Sequence, residues 1–387
     1  VMARWASMGE RSKRELLVAR AFLGAVAEPP APALARFVTE YGPCRAVGLI
    51  QREKAPADVT AEVEARRWHV SGEQLLVAAE AAGVRLVVPE APEWPREAFD
   101  GLFGARSVDL PGIAEPIALW VRGKAALAEA AEQAVAIVGA RAATGYGEHV
   151  AAEFGHGLAT AGFTVASGAA YGIDGAAHRG ALAAGGLTVA FLACGVDVDY
   201  PAGHGRLLRA IAEQGAVVSE YPLGTPPRKH RFLVRNRLIA SFGSATVVVE
   251  AGARSGAANT AHTADALGRP VLAVPGPVTS KNSVGCHGMV RSGQAVLVTR
   301  TQEVLEALSP LGAQLPVEIP AQSRRTDALH PDARRLHDAL TGIDCASADE
   351  LARDSGLPLG KVRALLPELE LAGFVARTER GWSMTGS

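Results

Sequence analysis

Between residues 135 and 298 the chain alternates short apolar runs with amphipathic stretches. The runs read VAIV, FTVA, LTVAFL, AVVSE, ATVVVE, PVLAVP and AVLV, and each is continuously apolar instead of alternating with polar positions. Such runs suit strands buried on both faces, as in a parallel sheet covered by helices. The pattern predicts an α/β core, Rossmann-like, doubly wound and mostly parallel.

The flanks read differently. RELLVARAFLGAV (14–26) and ALARFVTEYG (33–42) carry apolar residues at three- and four-residue spacing, which predicts short helices separated by the breaker AEPPAPA. From 84 to 123, Pro89, Pro92, Pro95, Pro111 and Pro116 mark loops with no regular pattern. After 309 comes a proline-containing polar linker. Then follow HPDARRLHDALTG, SADELARDSG with Ser347 and Glu350 spaced as a capping box, PLGKVRALLPELELAG, and the hairpin-like FVARTERGWSMTG. Three helices and a β-wing predict a winged helix. The expected domains are a helical one at 1–80, the Rossmann-like one at 81–308, a linker at 309–328 and the winged helix at 329–387.

Composition narrows the functions. The 387 residues carry 39 Lys+Arg against 40 Asp+Glu, so any affinity for nucleic acid has to come from a local patch. Cys44, Cys194, Cys286 and Cys345 lie far apart, which argues against a zinc site and a disulfide framework and suits a reducing cytoplasm. No apolar stretch reaches the ~20 residues of a membrane span. Arg4, Glu10, Arg11, Lys13 and Arg14 are not followed by a signal-peptide core, so a soluble, non-exported protein is expected.

In an open parallel sheet, ligands collect beyond the carboxyl ends of the strands, where helix N-termini present free amides. Four stretches should meet there: the turn from Gly139 to Gly147 with Arg141; SGAAYGIDGAAH, with Ser167, Gly168, Tyr171, Gly172 and Asp174; TPPRKHRFLVRNR; and EAGARSGAANTA, with Ser255, Gly256 and Thr260. The third packs Arg228, Lys229, His230, Arg231, Arg235 and Arg237 around Phe232 and Asn236 with no acid between them. On a helix Arg235 and Arg237 stand about 200° apart, so one is expected to pair with an acid such as Glu220 or Glu250 while the other reaches the groove. Phe232 and Tyr171 offer aromatic surface for a base, although packing is the default for each. Asp174 and His178, at i and i+4, read as a helix-start cap and a structural hydrogen bond. The sequence lacks G-x-x-x-x-G-K-[ST], lacks G-x-G-x-x-G after the first strand of the run, and lacks G-x-S-x-G. Binding is therefore expected in place of turnover, with no catalytic residue, metal or cofactor.

The order of WVRG, AIVGAR-AAT-GYG, VASGAAYGIDGAAHRGAL, CGVDVDYPAGH, SEYPLGTPP, FLVRNRLIA, VVVEAGARSGAANTA, AVPGPV and GCHGMVRSGQAVLV resembles the DNA-processing protein A (DprA, Smf) family of recombination mediators. The resemblance implies a dimeric protein that binds and shields single-stranded DNA during natural transformation and helps load the RecA recombinase, without an enzymatic step. It implies roles for Arg141, for Ser167, Gly168, Gly172 and Asp174, for Arg235, Asn236 and Arg237, and for Ser255, Gly256 and Thr260. It also implies a sterile-alpha-motif-like or helix-hairpin-helix N-terminal part and a C-terminal winged helix. Tyr171 stands where relatives commonly have Lys or Arg, and His287 where they usually have Asn. Glu368 and Glu370 beside Lys361 and Arg363 argue against duplex reading by the wing. The rival readings are a phosphoribohydrolase-like enzyme, whose P-G-G-x-G-T-x-x-E loop is absent, and a winged-helix transcription regulator.

Overall fold

The computed structural model describes residues 2–102, 113–253, 255–309 and 325–385. Two compact units are present, Val1–Gln314 and Leu315–Ser387. Most of the expected linker lies outside the described residues.

Among the described residues the first unit holds a nine-stranded sheet: β1 (Arg85–Val87), β2 (Leu119–Gly123), β3 (Ala134–Gly139), β4 (Thr164–Ser167), β5 (Thr188–Phe191), β6 (Ala216–Ser219), β7 (Ala245–Val249), β8 (Val271–Ala273) and β9 (Val296–Leu297). The order is β1-β2-β6-β5-β4-β3-β7-β8-β9. All pairs from β6 to β9 are parallel, whereas β1–β2 and β2–β6 are antiparallel. The fold is thus the Rossmann-like, doubly wound α/β arrangement, with an antiparallel edge in the proline-punctuated region where the sequence shows no strand pattern.

The central strand explains the continuous apolar runs. Val135 and Ile137 of β3 pack into one core with Phe154, Leu158 and Ile173. Ala136 and Val138 point the other way, into a core with Ile239, Phe242 and Ala257. Each face is covered by helices, so neither alternate position has water to meet. Strand β3 pairs β4 on one side and β7 on the other, and the chain reverses direction across the sheet at this point. That is the topological switch point, where an open α/β sheet leaves a crevice.

Before the sheet come the helices Glu10–Val26, Pro32–Tyr41, Pro43–Gln51, Ala57–Val63 and Gly72–Ala81. Leu23, Leu34, Phe37 and Ile50 close their own core. The largely buried Arg20 pairs with Glu90 at 2.7 Å and donates to the Ile117 carbonyl, tying these helices to the sheet's antiparallel edge.

In the second unit the helices Pro331–Ala339, Ala348–Ser355 and Leu359–Leu371 precede a hairpin of β10 (Val375–Thr378) and β11 (Gly381–Met384). The capping box forms as the spacing predicts: Ser347 Oγ accepts from Glu350 N, and Glu350 Oε2 accepts from Ser347 N. Ala346 adds a bridge to Trp382, and Leu336, Leu351, Val362 and Leu366 fill a separate core.

Candidate nucleic-acid interface

A crevice of about 600 Å³ opens at the β3/β7 switch point. Gly139 and Arg141 come from the end of β3, and Asp174 from the first turn of the Ile173–Ala183 helix. Lys229, Phe232, Arg235 and Asn236 come from the Lys229–Phe242 helix, and Ser255, Gly256 and Thr260 from the turn after β7 and its helix. Gly139 is required by packing: a β-carbon there would lie 1.8 Å from the Val249 carbonyl of β7.

Arg235 is the buried cation of the crevice. It is 4 % exposed, donates through Nη1 to the Phe191 carbonyl, and its Nε has no hydrogen-bond partner among the described residues. Burial lowers its pKa to about 10, with Asp174 opposing and Arg141 adding to the shift, so it remains a cation at neutral pH. Arg141 is exposed at the mouth, its guanidinium 4.6 Å from the centroid of Phe232. Exposed Lys229 completes a set of three cations against one acid, Asp174. Desolvation raises the Asp174 pKa against Arg235 and the amides of Ala170 and Gly168.

Not every glycine turn is left open. Glu250 places its carboxylate on the N-terminus of the Gly145–Thr160 helix, accepting from Thr144 N at 2.8 Å and from the Thr144 hydroxyl. A carboxylate there answers the helix dipole and occupies the place foreseen for a phosphate. Asp174 likewise accepts from Gly168 N at 3.2 Å and Ala170 N at 3.4 Å. The N-terminus of the Gly256–Ala266 helix differs. Ser255 caps it through Ala258 N at 3.2 Å, while Gly256 and Ala257 line the crevice.

Several residues singled out from sequence lie outside the lining. Ser167 is fully buried and its hydroxyl donates to the Ile137 carbonyl at 2.6 Å. Gly168 lies under Arg235, and Gly172 is the N-cap of the Ile173–Ala183 helix. Tyr171 is half exposed, accepts from Gly203 N at 3.1 Å and packs edge-on against His204. Arg231 is turned to Glu28 at 2.7 Å and lies over the Tyr221 ring. Arg237 is sequestered: both its Nη atoms meet Glu220 at 2.6 Å, and Nε donates to the Ala114 carbonyl. The half-turn separation of Arg235 and Arg237 therefore resolves as one groove cation and one buried ion pair. Within the groove Asn236 donates to the Gly256 carbonyl and to Asn259 Oδ1, both at 3.2 Å. Thr260 is buried one turn into that helix. His287 sets a ring nitrogen 3.1 Å from the Gly276 carbonyl.

Sequence reasoning missed Tyr200 and Leu233, which also line the crevice. Tyr200 packs on Phe232 with ring centroids 5.4 Å apart. The aromatic ahead of Pro201 was the available signal.

The fold and crevice define a Rossmann-like protein with a cation-lined crevice, carrying an appended winged helix. Residues 85–309 match the family described as DNA recombination-mediator protein A, and 320–379 match the DprA winged helix domain. The chain is 46% identical over 362 residues to a putative DNA processing protein DprA of Mycobacterium tuberculosis, covering 94% of this chain and 92% of that one. It is 38% identical to protein Smf of Escherichia coli, over 71% and 72% of the two chains. The solved DprA structure from Streptococcus pneumoniae superposes with a TM-score of 0.60 at 28% identity, covering 76% of this chain and 97% of that one. The chain belongs to the DNA recombination-mediator protein A family.

Proposed function

We propose that the crevice binds the phosphate backbone of single-stranded DNA and that the protein acts as a non-catalytic recombination mediator. The observation that carries this is Arg235: a buried guanidinium whose Nε has no hydrogen-bond partner among the described residues, lining the same crevice as Arg141, Lys229 and the Gly256–Ala266 helix N-terminus. An anion entering there meets the charge of this guanidinium, which Asp174 alone offsets among the described lining residues. Phe232 and Tyr200 give the crevice aromatic surface beside its cations, the combination that suits a single strand, where every base has a face to stack. No Cys or His is among the described lining residues, and the Ser255 hydroxyl is engaged in its cap.

Natural transformation, loading of RecA, a homodimeric state and a cytoplasmic location are further parts of the proposal. They rest on family membership. No helix among the described residues is long and apolar enough to cross a membrane, and none of their His, Cys, Asp or Glu groups into a metal-binding cluster. A gel shift comparing single-stranded with duplex oligonucleotides across a salt series tests the reading. Preferential, salt-sensitive capture of the single strand supports it, and equal or absent binding refutes it.

A further inference from the structure

A second cavity, of about 330 Å³, lies where the N-terminal helices meet the sheet region, with one wall from residues ahead of the family's main domain and the other from within it. Arg66, His69, Ser71 and Gln74 line it from the N-terminal side, and Tyr221 and Arg231 from the other. No acid lines it. The acid behind it, Glu28, is shared by Arg66, Arg231 and His230, which leaves the group with an excess of positive charge. Tyr221 is 3 % exposed and its Oη has no hydrogen-bond partner among the described residues.

Beside Arg66 and His69 stands Trp68, in the turn between the Ala57–Val63 and Gly72–Ala81 helices, with 62 % of its surface exposed. The Arg67 guanidinium lies 5.0 Å from its ring centroid. Even with Arg67 against its ring, the indole keeps most of its surface in solvent beside Arg66 and His69, where a base can stack.

The two cavities share one helical turn. Lys229 and Phe232 line the β3/β7 crevice while Arg231 lines the second cavity, with exposed Arg228 and His230 between them. That places them on opposite sides of one helix, roughly 10 Å apart. We propose that a single strand held in the first crevice continues over the first turn of the Lys229–Phe242 helix into this second cavity, with phosphates met by Arg228, Arg66 and His69 and a base stacked on Trp68. The extension rests on the proposed DNA-binding reading of the crevice and makes the N-terminal helices part of the DNA track.

Tryptophan emission reads this as the difference between wild type and Trp68→Phe: Trp68 is exposed, Trp94 and Trp120 are buried, and the half-buried Trp5 and Trp382 are common to both proteins. Titrating the full chain with oligo-dT of 6 to 24 nucleotides should quench emission with the longer strands, and Trp68→Phe should abolish the quench while still binding. Trp68→Ala should weaken the longest strand about tenfold and the 6-mer hardly at all. Equal weakening at all lengths, an unchanged quench in Trp68→Phe, or the same quench from thymidine monophosphate alone would overturn the extension. Such results would leave the crevice reading intact if the strand still bound and Arg235→Ala still weakened it; a wild-type chain that captured no strand of any length would refute both.

Discussion

Arg235 lies directly against the backbone of Gly168, so that a β-carbon at position 168 would come 1.9 Å from Nη1 of the guanidinium. The glycine in the second turn is therefore a seat for the buried cation. Gly168→Ala must displace Arg235, because the guanidinium is enclosed and has no slack to yield within its present site. The expected outcome is a folded protein whose affinity for a short single strand falls at least tenfold, matching Arg235→Ala. Fluorescence anisotropy with a labelled oligonucleotide checks this. An alanine variant with wild-type affinity would mean that the position of Arg235 does not matter for binding.

Arg237 should behave oppositely. Its pair with Glu220 is buried, with side-chain exposures of 4 % and 6 %. Removing one partner of such a pair leaves an uncompensated charge and costs about 3–5 kcal/mol, whereas replacing both with apolar residues recovers much of the loss. Urea denaturation of Arg237→Met and of Arg237→Met/Glu220→Met tests this. A single variant within 1 kcal/mol of wild type would contradict the assignment.

The sheet core should titrate through His178. Thr188 Oγ1 donates to the Val165 carbonyl at 2.8 Å, so the His178 Nδ1–H must donate to Thr188, 2.6 Å away, and Nε2 is left buried and bare. Burial depresses its pKa to about 3 from 6.5, with His204 and Arg235 adding. Below pH 6.5 the unfolded chain takes up a proton that the folded chain refuses until about pH 3. Stability is therefore full above pH 6.5 and falls through that window, by about 1 kcal/mol per pH unit from this group. His178→Leu should flatten this part of the unfolding profile. An equally steep profile in the variant would assign the slope elsewhere.

Glu28 sets a second, more acidic window. Burial works to raise its pKa, yet hydrogen bonds from Arg231, Arg66 and His230 outweigh it and hold the carboxyl at about 2 instead of 4.5. The hold of Glu28 on the Lys229–Phe242 helix should be complete above pH 4.5 and lost as pH falls through about 2. Hydrogen exchange of the helix's first turn should then accelerate, and Glu28→Gln should show the acceleration already at neutral pH. Unchanged protection in Glu28→Gln would refute this.

Much of the architecture is legible in the chain because β3 sends alternate residues into two different cores. Val135 and Ile137 cannot be told apart from Ala136 and Val138 by polarity, which is itself the mark of a covered sheet. Strands β1 and β2 were not legible. They are short, lie among prolines, and owe their place to pairing with the distant β6. In the crevice, helical geometry separates Arg235 from Arg237, but which of them faces the ligand depends on Glu220, placed by β6 packing. The amide taken by Glu250 was hidden for the same reason: Glu250 reaches Thr144 across 106 residues, a contact that no local spacing encodes, whereas Asp174 meets the amides of Gly168 and Ala170 within its own turn, in keeping with its reading as a helix-start cap.

The central claim is anion capture at the β3/β7 crevice by Arg141 and Arg235, and the salt dependence of single-strand affinity tests it most directly. Each phosphate neutralised contributes about −0.7 to the slope of log affinity against log salt. The account predicts that Arg141→Ala/Arg235→Ala weakens binding at every salt concentration and makes the slope shallower by about 1.4, two such increments. A double variant that keeps both the wild-type affinity and the wild-type slope would contradict it.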